Sequence, residues 1–286
     1  MTKPIYKLSS IARPLEPQYP TNRAVLILLP LIALGMSAVA FFIRDAGLAG
    51  AASAGLGGML TAFLAWALGR EVDPDRNAAA FIAMALAVAA VALGHAPALW
   101  LLALALMATR IVVRTVGPAA RLTDLAIVTG LAGLAVFLDG YWAMGLIAGF
   151  AMAVDLLYDR SRTLNLVFAA FAIGFSMFAL VQSGGDIAAV TLQPLGLVEP
   201  GWSLAALILT ALTGIFILTC PAVASLCDSS DNPLERRRVR GGGVIVLLFA
   251  TAAMFEGQAG LLAALPVWAV LAGLVGGRLL PRRRRA

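Results

Sequence analysis

The chain has 286 residues, 61% of them hydrophobic and only 13% charged, with a mean hydropathy of +0.93. Soluble domains are about 45–50% apolar and about 25% charged, so this composition excludes a water-soluble globular domain. The formal charge of +6 lies in short loops and tails, which excludes a basic fold able to lie along a nucleic acid.

In chain order, residues 1–23 hold four prolines and four basic residues ahead of any apolar run. They read as a cytosolic tail extended over the headgroups, not as a signal peptide. Ten apolar stretches follow, each close to the roughly 20 residues a spanning helix needs. The first two are Ala24–Ile43 and Leu48–Gly69. In the second, Gly50, Ala54 and Gly58 recur at four-residue spacing and predict a flat face for close helix packing. Ala78–Leu93, Ala98–Val116, Leu122–Leu138 and Tyr141–Tyr158 come next. Thr163–Gln182 is followed by a long connection and then by Trp202–Leu226, which Pro221 is expected to kink. Gly242–Phe255 and Gly260–Leu280 complete the set, and residues 281–286 form a basic tail. The expected architecture is an all-α, polytopic bundle at residues 24–280, with about ten transmembrane helices.

With the amino terminus inside, every Lys and Arg except Arg44 falls on the inner side or near an inner helix end. Both termini are therefore expected in the cytosol, in a multi-pass protein of a cytoplasmic (inner) membrane. Ten spans with both ends inside is a layout that several carriers share, often as inverted repeats, but the two halves carry no matching motifs.

The turning point of the chain is Leu99–Asp124. An apolar run acquires Arg110 and Arg114, breaks at Gly117-Pro118, and restarts through Arg121 and Asp124. Arg110 sits about 10 Å above the end of its span at 1.5 Å per residue, and Asp155 about one turn inside another. Charges at such depth are costly and mark either a functional site or a structural pair. Arg110 and Arg114 share one helix face, as do Asp155 and Asp159. If the inner loops converge, Arg110, Arg114, Asp124, Asp155 and Asp159 become candidate binding residues for an anionic solute or a lipid phosphate, since the guanidinium fork matches such groups. Asp73 and Asp75, two apart around Pro74, are weaker candidates for a metal ion. Arg70, Arg76, Arg121, Arg160 and Arg162 read as loop salt bridges and topology signals that need no ligand.

Other chemistry has little to work with. Asp139-Gly140 followed by Asp155 and Asp159 departs from the CDP-alcohol phosphotransferase signature, which needs an arginine where Met144 stands. There is no Walker sequence, HExxH or GxSxG. His95, the single histidine, lies in an outer turn. Cys220 and Cys227 lack metal spacing and read as reduced structural thiols. Ser53, Thr61, Thr129, Ser176 and Thr210 supply most of the polarity within the spans, and no acid lies at mid-depth.

Three functions fit this pattern, the first of them best and the other two as alternatives. A small-solute carrier or permease is favoured by the many short-looped spans. A membrane-embedded enzyme acting on a phosphorylated lipid is favoured by the Arg and Asp clusters. A non-catalytic assembly or partner-binding protein is favoured by the small-residue faces and basic tails. No cofactor is indicated by any motif. A carrier predicts a polar cavity reaching mid-bundle depth, an enzyme predicts the charges around one cleft, and an assembly protein predicts charges paired off inside a filled bundle.

Overall fold

The computed structural model describes residues 9–159, 163–183, 199–230 and 232–280. The chain is an all-α bundle. Its elements are α1 (Pro20–Phe42), α2 (Leu48–Val72), α3 (Asn77–Ala92), α4 (Leu99–Val113), α5 (Leu122–Phe137), α6 (Ala143–Tyr158), α7 (Thr163–Gln182), α8 (Pro200–Leu218), α9 (Arg236–Ala252), a 3-10 turn (Ala253–Glu256), α10 (Gly257–Ala263) and α11 (Leu265–Leu279). Among the described residues, five segments are long and apolar enough to cross a membrane: α1, α2, α7, α8 and the run Arg236–Ala263. The helices α3, α4, α5, α6 and α11 are shorter, at 15–16 residues. This is an integral, multi-span membrane protein.

Successive turns alternate between two ends. At one end Arg44 Nη2 donates to the Ala92 carbonyl at 2.6 Å, the Ala98 amide donates to the Ala263 carbonyl at 3.1 Å, and Trp142 stacks on Phe255 at 6.5 Å. The other end gathers the charged loops around residues 70–77, 114–124, 155–159 and 219–240, and is called the charged end below.

At the centre stands α4. Leu101, Leu102, Leu104, Ala105, Leu106, Ala108, Ile111 and Val112 are all buried, so this helix meets protein on most of its surface, with Trp100, Ala103 and Met107 on the less covered face. It packs against α2, α5, α6 and α9, while α1 covers α2, α7 covers α5 and α6, and α8 lies on α9 and α11. Apolar association has little driving force between helices in lipid, so close approach through small residues carries the packing. A β-carbon at Gly273 of α11 would overlap the Ala79 carbonyl oxygen of α3. One at Gly145 of α6 would overlap the Ala172 carbonyl oxygen of α7. On α2 the buried small face is Ala51, Gly55, Gly58, Ala62, Ala65 and Gly69, whereas Gly50 is exposed and Ala54 half-buried. Of the expected stripe, only Gly58 therefore lies on this face. A strict four-residue step drifts around a 3.6-residue helix, and alanine is so frequent here that several phases look alike.

Three boundaries differ from expectation. The helix expected to reach Leu226 ends at Leu218, so Pro221 lies in the following loop and kinks nothing. Pro221 lacks an N–H and disfavours helix in the residue before it, and Arg240 donates to the Leu218 and Cys220 carbonyls that the ending leaves open. The ninth helix begins at Arg236, not Gly242, because Arg238 and Arg240 have acceptors inside the protein. The tenth stretch is two helices, α10 and α11, and Pro266 stands in the first turn of α11, where its missing donor costs nothing.

Residues 9–19 also differ from a tail spread over headgroups. They cross the charged end of the bundle as a strap, with Ile11 only 3% exposed in the core.

Candidate functional site

The candidate charges meet at the charged end, but as separate partner sets. Arg110 and Asp155 do not pair with each other. Arg110 Nε donates to Glu71 Oε1 at 2.9 Å, and its Nη1 donates to the Ile11 carbonyl at 2.9 Å. Arg13, on the strap, donates through Nη1 to the same Glu71 oxygen at 3.2 Å. Its Nε and Nη2 grip Asp228 in a fork, at 2.6 and 2.9 Å. Glu71 is wholly buried, so two guanidinium groups compensate one carboxylate that would otherwise be uncompensated.

The second set centres on Asp155, also wholly buried. Arg114 forks onto it, Nε to Oδ1 at 2.9 Å and Nη2 to Oδ2 at 2.8 Å, and reaches Asp159 Oδ2 with Nη1 at 3.1 Å. Arg238 Nη1 donates to Asp155 Oδ1 at 2.8 Å and to the Val112 carbonyl at 3.1 Å. Asn165 Nδ2 adds a bond to Oδ2 at 3.1 Å. Arg238 also lies 4.8 Å from the Tyr158 ring centroid. Helices α4, α6, α7 and α9 are thereby tied at one carboxylate. Arg114 reaches it because the chain leaves α4 there with a left-handed backbone, φ 55°.

Asp124 forms the third set. Its Oδ1 accepts from Ser9 Oγ at 2.5 Å, and its Oδ2 accepts from the Ser10 amide at 2.9 Å and Ser10 Oγ at 2.7 Å. Oδ2 also accepts the Arg121 amide at 2.9 Å, which caps α5. Asp124 thus holds the strap from the opposite flank to Arg13.

The two metal candidates do not share an ion site. Asp73 pairs with Arg278 at 3.1 Å. Asp75 accepts from the Ala224 amide at 2.9 Å, the Ser225 amide at 2.8 Å and Ser225 Oγ at 2.7 Å. It shapes the 219–235 loop. Among the described residues no group of three His, Cys, Asp or Glu side chains converges as a metal set. Burial pushes the Asp73 carboxyl above the usual range despite Arg278 beside it, and raises the Cys227 thiol. A shallow surface depression, with room for little more than a water molecule, lies between Asp73–Arg76, the turn at Cys220–Val223 and Arg278.

Of the arginines expected to be plain topology signals, Arg76 donates to the Gly277 carbonyl at 2.8 Å, closing the end of α11. Arg160 and Arg162 lie outside the described residues. Sequence reasoning missed Glu71, Arg13, Ser9, Ser10, Arg238 and Asn165 as network members. Glu71 gave the nearest signal, being an acid still inside the apolar helix register, whereas the strap has no helical period to reveal which groups fold back.

Arg13→Ala is expected to free the strap. The Ser10 amide is bonded to Asp124, and the Ile11 and Ala12 amides to Ser9 Oγ. A charged hydrogen bond contributes about 1.5–3 kcal/mol, so hydrogen exchange at these amides should speed up about tenfold or more. Unchanged exchange there would show that Arg13 does not hold the strap.

Against known proteins, the chain matches no family model, no curated protein and no solved structure.

Proposed function

We propose that the chain is a non-catalytic membrane assembly protein, built as ten helical crossings with the charged end in the cytosol. One observation carries this reading: each of the five residues chosen as ligand candidates is engaged by another group of the same chain. Arg110 is held by Glu71, Arg114 by Asp155 and Asp159, and Asp124 by Ser9 and Ser10. Charges spent in this way fix helix positions, and the outer faces of α1, α7 and α8 remain for lipid or for a partner helix. Extracted from its own membrane in mild detergent, the wild-type chain is expected to migrate as a complex larger than its 29.7 kDa. The double variant Glu71→Leu/Arg110→Met should migrate the same. A wild-type chain that extracts as a bare monomer contradicts the reading.

A second reading, a small-solute carrier, is favoured by the strap. It bridges Glu71 of α2, Arg110 of α4, Asp124 of α5 and the 219–235 loop across the charged mouth of the bundle, where a gate would lie. A carrier would show solute-dependent hydrogen exchange at Ser10–Ala12.

A further inference from the structure

Arg70, in the last turn of α2, stands apart from the other arginines of the charged end. Arg13, Arg110, Arg114, Arg238 and Arg278 each meet a carboxylate, while Arg76 and Arg240 meet carbonyls at helix ends. Among the described residues no carboxylate forms an ion pair with Arg70. Its Nη1 donates to the Thr21 hydroxyl at 3.3 Å, its guanidinium lies 5.5 Å from the Trp66 ring centroid, and its Nε is buried with no partner. Arg13 adds a like charge nearby, and Glu71 and Asp228 lie close enough to favour the guanidinium without forming an ion pair with it.

A half-buried cation held by one neutral hydroxyl lacks the ion pair that Arg13, Arg110, Arg114, Arg238 and Arg278 each have. The group sits where α2 leaves the bundle, beside the first turn of α1, with Arg23 exposed two residues beyond Thr21. The planar fork suits a phosphate oxyanion, and the indole supports the guanidinium face. Basic groups between helix ends on the cytosolic side recognise phosphorylated headgroups by this chemistry.

We propose that Arg70, with Thr21, binds a phosphate group at the membrane surface. The site does not rest on the assembly reading: Arg70 and Thr21 make no ion pair with the networks around Glu71, Asp155 and Asp124, although Arg70 lies near the charges of the Glu71 set. The test uses the full chain in nanodiscs of neutral phosphatidylcholine, with phosphatidylglycerol added in one arm and inorganic phosphate added in the other. The melting temperature of the wild type should rise by about 2–4 °C in one arm. A gain in the first arm names a lipid headgroup, and a gain in the second names free phosphate. Arg70→Gln should lose that gain, while Arg76→Gln should keep it. Should Arg70→Gln not fold, Arg70→Lys retains the charge without the fork, and its gain should fall to about half. No gain in the wild type, an equal gain in Arg70→Gln, or an undiminished gain in Arg70→Lys would overturn the proposal.

Discussion

Asp155→Ala is expected to destabilise the folded bundle by about 3–5 kcal/mol, the range for breaking a buried ion pair from one side. The substitution leaves Arg114 and Arg238, 12% and 7% exposed, without the carboxylate that both grip. It also removes the acceptor of Asn165, so four helices lose a shared anchor. Unfolding by titrated denaturing detergent, followed by circular dichroism, reads this loss directly. Replacing the three buried charges together, Asp155→Leu with Arg114→Met and Arg238→Met, should cost far less, since no buried charge is then stranded and Asp159, which Arg114 also reaches, is 29% exposed. A single variant as stable as the wild type would mean that Asp155 is not the anchor of this end.

Gly273→Leu is the second large effect, and it acts through shape alone. The β-carbon would overlap the Ala79 carbonyl oxygen and lie 2.9 Å from both the Ala83 β-carbon and the Ala83 amide nitrogen. Backbone atoms cannot yield as a side-chain tip can, so α3 and α11 must separate. Overpacking a filled interior costs about 1–3 kcal/mol, and the upper part of that range is expected here. Gly174→Ala on α7 is the control, because nothing lies within 4 Å of the added carbon. That variant should be neutral, or more stable by up to about 1 kcal/mol. Equal losses in the two would remove the argument for small-residue packing.

The helices were legible because a bilayer imposes one demand on sequence: a long apolar run broken by polar turns. Nine of the ten expected stretches each correspond to one helix, and the tenth was split near Pro266. What stayed hidden depends on contacts between residues far apart in the chain. The run Arg236–Arg240 carries the composition of a topology signal, and nothing local reveals that Arg238 turns inward to Asp155. Glu71 carries no mark that its partner Arg13 lies 58 positions earlier. Arg110 and Asp155 are both buried, but burial alone names no partner, and each meets a different one. Arg70 looked ordinary in sequence, and its lack of a carboxylate is visible only once the neighbouring arginines are paired.

The account rests on the inner charges being one another's partners, and a double-mutant cycle on Glu71 and Arg110 measures that most directly. Glu71→Leu, Arg110→Met and the double variant are compared with the wild type by equilibrium unfolding. Residues in contact within one network show coupling of about 0.5–3 kcal/mol, whereas independent sites add to within about 0.5 kcal/mol. A coupling above about 1.5 kcal/mol is predicted, with the double variant losing less than the sum of the single ones. Simple additivity of the two losses would contradict the account.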